Sequence, residues 1–125
     1  MGLHPPYPPR HACLPAVRLP IKLCPMHVLV VNFQLDGLSP DQYEEICHEL
    51  APEFAAIPGL VSKHWLVNDL TGTYGGVYVF ESHQAFLDYQ GSKLFASVAG
   101  NPAFANFSAK DFGVLAGPSA VTGAS

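Results

Sequence analysis

Hydrophobic and polar positions alternate along His27 to Leu35, HVLVVNFQL, which predicts a β-strand. One face carries Leu29, Val31, Phe33 and Leu35. The other carries Val28, Val30, Asn32 and Gln34, and so turns polar halfway along. The period then changes. In DGLSPDQYEEICHELAPEF, Tyr43, Ile46, Cys47, Leu50 and Phe54 fall on one stripe at helical spacing. Ser39 is a good N-cap, Pro40 fits the first helical position, and Gln42 completes a capping box. Pro52 should kink or break the last turn. Pro58-Gly59 turns the chain into a second strand, LVSKHWLVNDL, and a hairpin at Thr71-Gly72 returns it as TYGGVYVFES. SHQAFLDYQGSKLFASV is a weaker helical stretch interrupted at Gly91, FANFSAKDFGVLAG is a last strand, and PSAVTGAS is a tail. The order β-α-β-β-α-β predicts an α+β, ferredoxin-like fold: an antiparallel sheet with both helices on one face.

Such a sheet leaves its other face uncovered, so the register of the hairpin matters. A two-residue turn at Thr71-Gly72 sets Trp65 opposite Tyr78, Lys63 opposite Phe80 and Val67 opposite Gly76. The aliphatic set Leu66, Val77 and Val79, with His64, is then expected under the helices. The aromatic set Trp65, Tyr78 and Phe80, with Lys63, is expected on the open face, joined by Val28, Val30, Asn32 and Gln34. That face is too apolar for water. Two such sheets facing each other across a two-fold axis would enclose a ligand cavity. The adjacent Gly75 and Gly76 point to opposite faces of a strand that they weaken. Gly75 is expected to clear a helix, and Gly76 a partner subunit or a ligand.

Composition narrows the classes. The chain has 125 residues, enough for one domain, with 49% hydrophobic and only 13% charged residues, which favours an oligomer. The net charge of −4 argues against a nucleic-acid partner. No apolar run is long enough to span a bilayer, so neither a membrane partner nor a membrane location is expected. Residues 1–25 hold seven of the 12 prolines and no acidic residue, which predicts an extended, disordered extension. Its PPYPPR (Pro5 to Arg10) fits a short, common SH3-ligand pattern. The domain proper is expected over 26–117, with a flexible tail over 118–125. The odd count of three cysteines without CxxC predicts reduced thiols and a cytoplasmic location.

PGLVSKHWLVND, TGTYGGVYVFES, AFLDY and AKDFGV resemble the YdhR-like family of small bacterial mono-oxygenases. The similarity runs from about Met26 to Ala116, and GGVYVF with Trp65 upstream and Ala85 and Tyr89 downstream is its most specific part. The resemblance implies a dimeric α+β barrel similar to the antibiotic-biosynthesis mono-oxygenases. Those enzymes oxidise electron-rich aromatic substrates, such as polyketide phenols, with O₂ and without metal or flavin.

The candidate chemistry follows from that demand. A cofactor-free oxygenase must favour an ionised phenol in a dry pocket, which calls for fixed hydrogen-bond donors. Asn32, Trp65 and Tyr78 are the candidate catalytic residues. Gln34, Lys63, Val67, Gly76 and Phe80 are the candidate substrate contacts. The six histidines show no HxH, HxxH or HExxH spacing, so no metal site and no cofactor are expected. A general base is missing: His64 falls by parity on the helix side. The expected function is a cofactor-independent mono-oxygenase acting with O₂ on an aromatic small molecule in a homodimer. The alternative is a non-catalytic small-molecule-binding or stress-response dimer of the same fold, in which the aromatics serve packing alone.

Overall fold

The computed structural model describes residues 22–123. The proline-rich PPYPPR motif and Cys13 lie outside the described residues. Four strands and four helices follow in the order β1 (Leu23–Leu35), α1 (Pro40–Ala55), β2 (Leu60–Asn68), β3 (Thr73–Phe80), α2 (His83–Gln90), α3 (Lys93–Ala99), β4 (Phe104–Leu115) and α4 (Ala116–Val121). The strands form one antiparallel sheet in the order β2-β3-β1-β4. This is the expected ferredoxin-like α+β arrangement. β1 begins at Leu23, so it takes in the end of the segment assigned to the extension, and α4 occupies part of the stretch read as a tail.

Local chemistry accounts for the helix boundaries. Gln42 N–H donates to Ser39 Oγ at 3.1 Å, and Ser39 N–H donates to Gln42 Oε1 at 2.9 Å, so the capping box forms. α1 continues through Pro52 and ends three residues later, held by Ala56 N–H donating to carbonyls of the last turn. The weaker helical stretch is two helices, each opened by a serine. Ser82 Oγ accepts from Ala85 N–H at 3.0 Å and Ser92 Oγ from Phe95 N–H at 3.1 Å.

The hairpin corrects the expected register. Its last pair is Asn68↔Thr73, leaving a four-residue loop instead of two. The reason is the Asn68 side chain, whose Oδ1 accepts from Leu70 N–H at 3.1 Å and Thr71 N–H at 3.3 Å. Trp65 therefore lies opposite Gly76, Lys63 opposite Tyr78 and Val67 opposite Tyr74. The slip is two residues, so each strand keeps its face grouping.

The assignment of the β2 and β3 groups to the two sides of the sheet is reversed, while Val28, Val30 and Asn32 of β1 lie on the open face as expected. The helices cover the aromatic set. Leu29, Val31 and Phe33 of β1 pair with Tyr78, Gly76 and Tyr74 of β3 and bury against Tyr43, Phe54, Phe86 and Tyr89. Large rings on the helices match large rings on the sheet, and such pairs bury more area than the aliphatic set could. Val28, Val30, Asn32, Val77, Val79 and Leu66 lie on the open face, with Phe112 of β4 opposite Val28. His64 is also on that face and exposed, not under the helices. Cys24 is buried beside Ala116 and disulfide-bonded, against the expectation of reduced thiols; Cys47 is the free cysteine among the described residues.

Candidate active site

The stripe of α1 that faces β2 and β3 carries Tyr43, Ile46, Cys47, Leu50 and Phe54, and Lys63, Trp65, Gly76 and Tyr78 rise to meet it. Between them lies an interior cavity of about 30 Å³. That volume holds one water-sized molecule. A groove of about 660 Å³ opens outside it, between α1 and the loop end of the β2–β3 hairpin, lined by Asp41, Glu44, His48, Val67 and Tyr74 among others. Tyr43, Cys47 and Trp65 line both spaces, so the groove meets the cavity at these three side chains. Its volume suits a small organic ligand. Both spaces lie between α1 and the sheet of one chain.

Lys63 is the unusual group here. Its Nζ sits 3.4 Å from the centroids of both Phe54 and Trp65 and 4.6 Å from that of Tyr78. Phe54 and Trp65 meet edge to face at 5.3 Å, and the amine occupies their corner. The two ion pairs among the described residues, His27–Asp111 and His48–Glu44, do not involve it. Burial lowers its pKa from 10.5 to about 7, against a smaller opposing effect of Cys47.

The other titratable groups lining the cavity move the other way. Burial raises Tyr43 and Tyr78 well above the ordinary tyrosine range and raises the Cys47 thiol. The Cys47 thiol, one turn along α1, adds to the rise at Tyr43. Tyr89 O–H donates to Tyr78 O at 3.3 Å, and burial pushes Tyr89 up to about 12. Both tyrosines are therefore neutral at ordinary pH.

The glycine pair also changes meaning. A Cβ at Gly75 would stand 1.8 Å from the Val31 carbonyl oxygen, so what crowds it is the backbone of β1 and not a helix. A Cβ at Gly76 would stand 3.0 Å from Lys63 Cε and 3.4 Å from Tyr78 Cε1. Gly76 thus makes room for the lysine stem, not for a partner subunit.

Of the expected site residues, Lys63, Trp65, Gly76 and Tyr78 converge on the cavity, and Val67 lines the groove. The other three do not join them. Asn32 pairs with Gly75 and Ser108 on the opposite face. Gln34 accepts from Asn106 Nδ2 at 2.6 Å. Phe80 is fully buried, packed on Phe86 and Tyr89, and lines neither space. Sequence reasoning missed Tyr43, Cys47 and Phe54 as site residues, because a helix stripe at core spacing gives no sign that a cavity lies beneath it.

The histidines are less scattered than their spacing suggests. One ligand atom each from His27, His83 and Asp111 lies within 4.8 Å of the others, and these are the described residues that could hold a metal ion. His27 Nε2 and Asp111 Oδ2 hydrogen-bond at 2.6 Å, and the His27 ring packs on Phe86 at 4.9 Å.

Residues 28–125 match a protein family described as "Putative mono-oxygenase ydhR". A comparison with curated proteins finds no match. Among solved structures, SnoaB, a cofactor-independent oxygenase from Streptomyces nogalater, is similar at 22% identity and a TM-score of 0.57, covering 70% of this chain and 90% of its own. NE2512 of Nitrosomonas europaea, of unknown function, matches at 15% identity and a TM-score of 0.61, covering 73% and 90%. The heme-degrader MhuD of Mycobacterium tuberculosis, with two hemes bound in its active site, matches at 22% identity and a TM-score of 0.58, covering 71% and 95%. These likenesses establish the fold.

Proposed function

This chain belongs to the ydhR mono-oxygenase family, and from that premise we propose that it oxidises an aromatic, phenol-type small molecule with O₂ in the groove between α1 and the β2–β3 hairpin. The observation that carries this reading is the meeting of a ligand-sized groove with a water-sized, aromatic-walled cavity at Trp65, Tyr43 and Cys47. An aromatic ring in the groove stacks on Trp65, which is 37% exposed, and directs its hydroxyl into the inner cavity, which has room for one small group. The substrate anion supplies the electrons. For a methylene activated by a ring hydroxyl, one O₂ converts CH₂ to C=O and leaves as one water, so the balance closes on substrate alone.

The apolar open face supports a homodimer in this reading. Val28, Val30, Val77, Val79 and Leu66 form a half-buried aliphatic surface, and Phe112 beside it is 53% exposed. The dimer then joins sheet to sheet, and each chain keeps its own pocket. The test is oxygen uptake by metal-free, flavin-free protein with a panel of phenols and hydroquinones. Uptake of one O₂ per substrate is expected. Neither uptake nor ligand-induced thermal stabilisation across the panel would overturn the proposal.

A further inference from the structure

We propose that Lys63 is the proton acceptor of this site: its neutral amine takes the proton of a phenolic O–H bound at the Trp65 junction and then holds the resulting phenolate as its ammonium partner. The inference rests on the mono-oxygenase reading for its substrate class and supplies the base that the sequence lacks. Three geometric facts carry it. The amine ends in a corner of aromatic rings with no carboxylate paired to it among the described residues. It borders the cavity that Trp65 separates from the groove. Gly76 leaves the space its stem occupies.

An ammonium held largely out of water without a counter-ion is costly, so burial lowers the Lys63 pKa to about 7 and favours the amine form. The groups that face it are Cys47 and Tyr43 from α1 and Tyr78 from β3, with Tyr89 of α2 behind Tyr78. Burial keeps each of them neutral, so none competes as base or counter-ion. In the step, the phenolic O–H bond breaks and an N–H bond forms on Nζ. The bonding pair stays on oxygen, and no charge leaves the pocket. The three ring faces then attract the ammonium and hold it beside the anion.

Two measurements on the full chain test this. Lysine labelled with ¹³C at Cε, assigned with Lys63→Met, is titrated by NMR without substrate. Lys63 is expected to titrate at least about two pH units below an ordinary lysine. Titration at the ordinary lysine value would overturn the proposal. The second uses phenol itself, whose pKa lies near the ~10 of a tyrosine side chain and which is therefore neutral in water at about pH 8, without oxygen at that pH. Phenol bound as phenolate without net proton release is expected for the wild type. Lys63→Met should lose binding of the phenolate form by about tenfold or more. Lys63→Arg, a fixed cation that is not a base, should release about one proton per phenol bound. Neutral bound phenol in the wild type, or phenolate bound equally by Lys63→Met, would overturn the proposal. Phenolate binding with no oxygen uptake would leave the base in place and sink the mono-oxygenase reading instead.

Discussion

Replacing Lys63 with Met should stabilise the protein at acid and neutral pH, by an amount that fades as pH rises. Met keeps the length and apolar bulk of the lysine stem, so no large cavity forms. A fall in pKa from 10.5 to about 7 costs the folded, charged form about 5 kcal/mol. That penalty is fully present below pH 7. The sign follows from proton binding. Between about pH 7 and 10.5 the unfolded chain keeps the Lys63 proton and the folded chain has lost it. Wild-type stability therefore gains from Lys63 as pH rises through that window, and the variant does not. Urea melts of both proteins at pH 6 and pH 10 read this directly, because every other titrating group is common to both. The variant should be more stable by several kcal/mol at pH 6, up to about 5, with the gap closing or reversing by pH 10. A variant less stable at pH 6, or a gap indifferent to pH, would show that the rings hold the ammonium more strongly than burial opposes it. The account of Lys63 as a poised amine would then fail.

The two glycines should respond differently to alanine. Gly75→Ala drives a Cβ to 1.8 Å from the Val31 carbonyl and should cost more than about 4 kcal/mol or prevent folding, read by denaturant melts. Gly76→Ala meets the Lys63 stem at 3.0 Å, the His64 carbonyl oxygen at 3.3 Å and the Tyr78 edge at 3.4 Å; it should cost about 1–3 kcal/mol and perturb the Lys63 titration by NMR. Trp65→Ala should weaken phenol binding in calorimetry at least about tenfold, while Asn32→Ala, on the other face of the sheet, should leave it within about twofold; equal losses would contradict the placement of the site. Phe112→Glu should convert a dimer to a monomer in light scattering with little change in phenol binding per chain, and a monomeric wild type would refute the sheet-to-sheet dimer.

The alternation at 27–35, the capped stripe from Ser39 to Phe54 and the turn residues at Pro58-Gly59 were enough to determine the element order, and with it the ferredoxin-like sheet. Those signals are local: a cap, a period and a turn act within a few residues. Lys63, Trp65, Gly76 and Tyr78 were also legible as a group, because parity alone sets them on one face. Parity does not say which face meets the helices. Both faces here are apolar, one aromatic and one aliphatic, so the choice fell to packing against Tyr43, Phe54, Phe86 and Tyr89, residues far apart in the chain. That choice moved Asn32 and Gln34 out of the site and brought α1 in. It also turned Lys63 from an expected substrate contact on the open face into a half-buried amine among the rings under α1. The pKa of that amine depends on the water that the assembled rings exclude, and no stretch of sequence contains that quantity.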